Sequence, residues 1–413
     1  MVPLLGDPQA RPLSPARHSA APGTSGGRFL FPAASSFLST HTRTLAHSLG
    51  LPYHYWAIPE MNGAHVLSRR TFVAMLAATA TVGIAACSSN STPQGTPPAS
   101  GNGGSSPAAG DAFPITIKHA LGEAVIEKKP ERIATLGWAN HEVPLALGVV
   151  PVGMSRANWG DEDGDGLLPW VKEKLDALGG QTPVLFDDTD GVPFEAVSNT
   201  KPDVILASYS GITAEDYATL SQVAPVVAYP EAAWITTMDQ MIELNSQAMG
   251  MAAQGKALIA DLDKRVAAAM EQHAGLKGKK VLFSFLNASD LSKVGFYTTH
   301  DPRAGFLVKA GLGTPEIVEK ESAASKAFWK DMSSEKPELF NDVDILLTYG
   351  PADPTPLKEA IKADALLSRI PAIAKDHVVF LGQDALSASA NPSPLSIPWG
   401  IEKYVAKLAE GLE

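Results

Sequence analysis

From residue 111 to the C-terminus, short β-branched and apolar runs alternate with stretches in which apolar side chains recur at helical spacing. That alternation predicts βα units on mostly parallel sheets. Strands are expected at residues 132–137, 149–155, 203–208 and 226–229, making a first lobe, and at 280–286, 344–349 and 378–381, making a second. Between the two sets, residues 251–273 place Leu258, Leu262, Val266 and Met270 four apart, with Lys, Asp and Glu between them. This is the pattern of an amphipathic helix, about 35 Å long at 1.5 Å per residue. A flexible hinge would be shorter and richer in glycine. The expected fold class is therefore α/β, two Rossmann-like lobes joined by a long rigid helix, with restrained lobe motion and a ligand cleft between them. Local signals agree: Asp301-Pro302 offers an N-cap followed by Pro at the first helical position, Gly311 ends that helix, and Thr213 with Asp216 fits a capping box.

A length of 413 residues suggests two to three domains. Hydrophobic residues at 45% and charged residues at 19% argue against general disorder and against a coiled coil. The net charge of −11 argues against nucleic acid as a partner, because phosphate-backbone affinity comes from clustered Lys and Arg. A single cysteine, Cys87, excludes an internal disulfide, a four-cysteine zinc site and a CxxC redox pair.

The charge is unevenly spread. Residues 1–86 hold six Arg, no Lys and two acids, so the remaining chain carries 27 minus 42, or −15. A basic leader before an acidic body is what a targeting segment ahead of an exported domain looks like. Residues 72–86 carry no charge and are too few for the ~20 apolar residues of a membrane span, but suit a signal h-region. Just before them, Ser68-Arg69-Arg70-Thr71-Phe72 resembles a twin-arginine export signal, with Arg69 and Arg70 as the pair. Just before the thiol, Ile84-Ala85-Ala86-Cys87 resembles a bacterial lipobox, whose cysteine sulfur takes a diacylglyceryl group. The competing readings are a plain Cys in an Ala-rich helix and an Arg- and Ser-rich organelle transit peptide. The expected organisation is an upstream extension outside the natural chain (1–60), a lipoprotein signal peptide (61–86), a Ser/Gly/Pro-rich tether (87–110), a first lobe (111–249), an interlobe helix (250–274) and a second lobe (275–413).

Several motif matches fail. The stretch Gly250-Met251-Ala252-Ala253-Gln254-Gly255-Lys256-Ala257 lacks the hydroxyl of a P-loop and follows a helical pattern rather than a strand. Asp161, Asp163 and Asp165 imitate the opening of a calcium loop, but Lys172 stands where a bidentate Glu is needed, so a solvated acidic loop is expected. His141-Glu142 lacks the second His of a zinc-protease helix, and there is no G-x-S-x-G elbow. No catalytic constellation assembles, although an exported α/β hydrolase stays as an alternative.

One resemblance covers the body. Pro130-Glu131-Arg132-Ile133-Ala134, Ala146-Leu147-Gly148-Val149-Val150-Pro151-Val152-Gly153, Lys201-Pro202-Asp203-Val204-Ile205-Leu206 and Ala224-Pro225-Val226-Val227 resemble the first lobe of ABC-importer substrate-binding proteins for ferric siderophores, haem and cobalamin. Asp301-Pro302-Arg303-Ala304-Gly305-Phe306-Leu307 and Pro394-Leu395-Ser396-Ile397-Pro398-Trp399 resemble the siderophore branch. The resemblance implies a monomeric, lipid-anchored protein on the outer face of the cytoplasmic membrane. Such a protein has no cofactor and no chemistry of its own, and hands an iron chelate to an ABC permease dimer; haem or cobalamin is the alternative cargo.

The resemblance also implies docking acids, Glu195 in the first lobe and Glu335 in the second, each able to pair with a permease arginine. Both positions also suit an ordinary helix-start Glu favoured by the macrodipole. Ligand residues are expected on loops after the strands: Trp138, Arg156, Trp159, Tyr209 and Trp234 from the first lobe, and Arg303, Trp329 and Tyr349 from the second. Aromatic faces can pack on a chelate's organic shell, and arginine can pair with its oxygens; core packing is the competing role for each aromatic, and satisfying a carboxylate at its own helix start is the competing role for Arg303. No close tyrosine pair or histidine cluster is visible in the sequence, so bare Fe3+ is disfavoured and no protein-bound metal is expected.

Overall fold

The computed structural model describes residues 112–413. Cys87, Arg69, Arg70, the signal segment and the tether lie outside the described residues. A hairpin of β1 (Ile115–His119) and β2 (Gly122–Ile126) leads in. It is followed by β3 (Ile133–Thr135), β4 (Gly153–Ser155), β5 (Val184–Phe186), β6 (Val204–Ala207) and β7 (Val226–Ala228). These form a five-stranded sheet in the order β5-β4-β3-β6-β7, parallel throughout. A second sheet holds β8 (Val281–Phe285), β9 (Lys293–Tyr297), β10 (Trp329–Ser333), β11 (Ile345–Tyr349) and β12 (Val378–Leu381) in the order β10-β9-β8-β11-β12. There β8, β11 and β12 run parallel, while β9 is antiparallel to both β8 and β10.

Every strand expected from the sequence forms, within a few residues at its ends. Two of the strands not expected from the sequence are weak in pattern: β5 buries only Phe186 fully, and β10 is an edge strand of sequence WKDMS with no buried residue. The interlobe helix spans Ala252–Gln272 and buries Leu262, Val266 and Ala269. Its Gly255 lies against Ser246 of the preceding helix Met238–Ala248, where a Cβ would collide with the serine. The glycines of the P-loop-like stretch therefore serve a helix end (Gly250, φ 65) and a helix crossing.

A single apolar core runs through the joint. It contains Val143, Met241 and Ile242 of the first lobe, Leu262, Val266 and Ala269 of the helix, and Phe283, Leu307 and Leu347 of the second lobe. The final helix, Ser396–Ala409, adds Ile401, Tyr404 and Leu408 to it. Lobes that share one core are braced, as the glycine-poor helix predicts. The segment 385–399 crosses back to the first lobe, where Ala385, Ala388 and Leu395 pack with Leu145, Met154, Leu168 and Trp170.

Candidate ligand cleft

First-lobe site residues follow the ends of parallel strands, the usual ligand side of an α/β sheet. Trp138 stands three residues after β3, on a turn that needs positive φ at Gly137 (78°) and Ala139 (56°). A Cβ at Gly137 would come within 2.6 Å of the Tyr209 carbonyl, so only glycine fits the turn. Asn140 ties that turn to the loop after β6, its Nδ2 donating to the Leu136 carbonyl (2.7 Å) and the Tyr209 carbonyl (2.9 Å). Its Oδ1 accepts from Ser208 Oγ (2.9 Å) and from Asn245 Nδ2 (3.0 Å), all of them buried. Trp159 follows β4, and Trp234 follows β7 with φ 63°.

The second lobe presents its residues from regular elements. Trp329 opens β10 rather than lying on a loop, Tyr349 ends β11, and Arg303 is the second residue of the helix Pro302–Lys309. Asp301 caps that helix by accepting from the Arg303 backbone N–H (2.9 Å). Tyr297, which ends β9, escaped the sequence reading because β9 was not expected.

The two walls meet. Trp138, Trp159, Trp234 and Trp329 all pack against the core that contains Tyr209, Tyr297 and Tyr349. Trp234 meets Tyr209 edge-on at 5.6 Å and Trp329 meets Tyr297 at 4.8 Å. Across the lobes Trp159 meets Tyr349 at 5.8 Å, and its Nε1 donates to Ser387 Oγ (3.1 Å). Asn391 Nδ2 donates to the Tyr209 hydroxyl (3.2 Å), and Lys326 pairs with Glu231 at 3.2 Å. Phe285, 44% exposed, continues the aromatic surface outward from Tyr349 at 6.1 Å.

Arg303, 4% exposed, lies 3.9 Å from the centre of the Tyr297 ring, and its Nη1 donates to the Tyr297 hydroxyl (3.1 Å). Its Nε and Nη2 reach the two oxygens of buried Asp301, each at 2.7 Å. Burial works against the guanidinium charge, but Asp301 together with Tyr297 and Tyr349 outweighs it and the pKa rises further above its ordinary value. Burial also raises the pKa of Tyr209, Tyr297 and Tyr349. Here the structure corrects the sequence, since tyrosines do converge: the Tyr297 and Tyr349 rings are 6.5 Å apart. They are held as neutral phenols, suited to donating hydrogen bonds rather than binding Fe3+ as phenolates.

Arg156 stands apart from the aromatics' shared core. It sits 3.7 Å from Asp187 and lines a cavity of about 30 Å³ together with Trp138, His141, Glu142 and Ser155. The carboxylates of Asp161, Asp163 and Asp165 do gather, but Lys172 Nζ pairs with Asp163 (2.9 Å) and with Asp165, placing an ammonium among them. Glu195, in the first turn of the helix Phe194–Asn199, and Glu335, just after β10, are exposed and form no ion pair among the described residues.

A family model described as periplasmic binding protein matches residues 133–385. The chain belongs to that family. It is 30% identical over 239 residues, 57% of this chain and 69% of the relative, to a probable siderophore-binding lipoprotein of Bacillus subtilis, YfiY. It is 23% identical over 266 residues, 64% of this chain and 76% of the relative, to the iron(3+)-hydroxamate-binding protein YxeB of the same organism. Among solved structures, Streptococcus pneumoniae PiaA in complex with ferrichrome superposes with a TM-score of 0.69 at 47% identity, covering 72% of this chain and 98% of that one. The fold expected from the sequence, two sheet lobes joined by a helix, is therefore that of a periplasmic binding protein. Its family and structural neighbours are binding proteins rather than hydrolases.

Proposed function

We propose that this periplasmic binding protein captures a ferric siderophore of the hydroxamate class and presents it to an ABC permease, with no chemistry of its own. One arrangement supports the reading: aromatic side chains from both lobes gather around a buried cation that is already neutralised. Arg303 is held by Asp301 on two nitrogens, and Arg156 at the border faces Asp187. A cleft with its arginines paired suits a complex in which three hydroxamates cancel the charge of Fe3+. It suits less well a catecholate or citrate complex, whose excess negative charge would need free cations. The hydroxamate relative and the ferrichrome-bound neighbour support the same class.

Trp138, Trp159, Tyr209, Trp234, Trp329 and Tyr349 would wall the chelate, with Arg303 and Tyr297 hydrogen-bonding its oxygens and Arg156 at the edge. Glu195 and Glu335, one per lobe, would dock on permease arginines. Arg69 and Arg70 would direct export, and Cys87 would carry the lipid that holds the monomer at the outer face of the cytoplasmic membrane. The test is tryptophan-fluorescence titration with ferrichrome, ferric citrate, a ferric tris-catecholate, haem and cobalamin. Saturable quenching by ferrichrome at micromolar concentration or below is expected. Preference for haem, cobalamin or an anionic chelate would overturn the reading.

A further inference from the structure

Two of the tryptophans proposed to wall the chelate rest on glycine. In the second lobe Gly295 is the middle residue of β9 and pairs with Asp331 of β10, while Trp329 pairs with Tyr297. The Trp329 indole leans diagonally across the strand pair: a Cβ on Gly295 would lie 2.1 Å from its Cζ2, and 2.7 Å from Asp331 Oδ1. In the first lobe Gly211 lies on the loop after β6, and a Cβ there would lie 2.3 Å from Trp234 Nε1 and 2.7 Å from its Cε2. Neither glycine has a positive φ, so the backbone at both positions would accept an L side chain. What requires glycine is the indole. A glycine inside a strand often marks such a close approach.

The two indoles are also held from the side. Trp329 Nε1 donates to Asp331 Oδ1 (3.0 Å), and the ring meets Tyr297 edge-on. Trp234 stands at φ 63°, its backbone N–H donates to the Ser210 carbonyl (3.2 Å), and its ring meets Tyr209 edge-on. Each lobe thus repeats one arrangement, an indole on a glycine with a tyrosine two residues from that glycine against the ring. Gly153 of β4 lies under Phe186 in the same manner, with a Cβ contact of 2.2 Å, but Phe186 is fully buried and that contact is core packing. Trp234 and Trp329 are only half-buried, so part of each ring is left for something other than the core.

We propose that Gly211 and Gly295 are positioning residues of the chelate site, one in each lobe, whose bare backbone lets the Trp234 and Trp329 indoles lie back and so fixes how far each reaches toward the ligand. The inference rests on the siderophore-binding reading of these walls. A methyl group on either glycine must push its indole more than an ångström away before ordinary contact near 3.4 Å is restored. Binding constellations tolerate only about 0.5 Å of such misplacement, so a rigid chelate meets the change as lost fit. An aromatic ring over a strand glycine also stabilises a sheet by itself, and for that reason stability is measured beside affinity.

The test is a double-mutant cycle in each lobe, Gly295→Ala with Trp329→Phe and Gly211→Ala with Trp234→Phe, read as the ferrichrome Kd by calorimetry and as the urea midpoint. A phenyl ring lacks the indole atoms that the new methyl would meet. Each alanine alone should weaken ferrichrome binding about tenfold, an ordinary coupling for residues in contact, and in its Phe background should change the Kd less than about twofold. An unchanged Kd, an equal loss in both backgrounds, or a lowered urea midpoint with the Kd intact overturns the proposal. Should Gly295→Ala fail to fold, the result is read from Gly211→Ala, which sits on a loop. Should the wild type bind no chelate, the proposed function fails instead. The glycine seats are then judged on the ligand-free chain: acrylamide quenching of tryptophan fluorescence should increase in each alanine variant, and unchanged quenching overturns them as well.

Discussion

The two walls of the proposed cleft are held by different chemistry. The first-lobe wall hangs on loops after parallel strands, fixed by a neutral amide and hydroxyl network around Asn140 and by positive-φ backbone at Gly137, Ala139 and Trp234. The second-lobe wall stands on two strands and a helix start, fixed by the buried Arg303–Asp301 ion pair with Tyr297 on its flank. A neutral network costs little to bury once every member is satisfied. An ion pair costs much more to bury but leaves a strong local dipole at the site when formed. The first wall is thus expected to set shape, and the second to set the charge that the ligand meets.

The sharpest way to break that contrast is Asp301→Asn. It leaves a guanidinium in a site that is 4% exposed without its counter-charge, and removing one partner of a buried pair costs about 3–5 kcal/mol. Urea unfolding should register that loss. In the protein that remains folded, selectivity should move from neutral ferrichrome toward ferric citrate, because a positive charge is now unbalanced. Loss of stability with no change in the ratio of the two affinities would show that the pair is structural only.

Asn140→Ala tests the other wall. It removes the Asn140 donor to the Leu136 and Tyr209 carbonyls and the acceptor of the Asn245 Nδ2, while Ser208 Oγ keeps Asn245 Oδ1, and unsatisfied buried groups cost about 1–3 kcal/mol each before any water enters. A loss of about 2–4 kcal/mol in urea unfolding is expected, with affinity for all chelates falling together and their ranking unchanged. A change of ranking would assign charge sensing to the first wall as well. A smaller effect is expected from Tyr297→Phe, which removes the hydroxyl that accepts from Arg303. The affinity for ferrichrome should fall several-fold to about tenfold, consistent with one hydrogen bond to a charged group. Equal affinity for the two proteins would place Tyr297 behind the site rather than in it.

The same contrast explains what the sequence disclosed. In the parallel first lobe, strand runs such as Val204–Ala207 are continuously buried and apolar, and the rule that ligands sit after parallel strands found Trp138, Trp159, Tyr209 and Trp234 as neighbours. In the second lobe that rule applies only to β8, β11 and β12. Tyr297 and Trp329 lie on the antiparallel pair β9–β10, outside that rule, so the first was missed and the second was expected on a loop. Tyrosines spread over Tyr209, Tyr297 and Tyr349 are brought together only by the sheet order, which no local pattern carries. In the segment 385–399 only Pro394-Leu395-Ser396-Ile397-Pro398-Trp399 stood out, by resemblance; no local pattern marks its Ala, Ser and Pro residues as buried. Glu142 beside His141 drew notice only as an incomplete zinc motif, since its hydrogen-bond donors come from residues 170 and 395.

The smallest effect on the isolated protein, and the largest in a cell, is expected from Glu195→Arg with Glu335→Arg. Both side chains are exposed and make no ion pair among the described residues, so reversing their charge removes no contact within the molecule. The unfolding midpoint and the ferrichrome Kd should therefore stay at wild-type values, since surface substitutions away from buried features seldom matter to stability. Uptake of iron from ferrichrome by cells carrying the permease should be lost, because two separated repulsive contacts oppose docking where two attractive ones fixed orientation. Each single reversal should give an intermediate rate, and raising the ionic strength should narrow the difference from wild type. If uptake survives the double reversal while the Kd is unchanged, the two acids do not dock and the permease reads some other surface of the lobes. If the Kd rises instead, the acids contribute to the fold of the cleft and the division between a ligand face and a docking face is wrong.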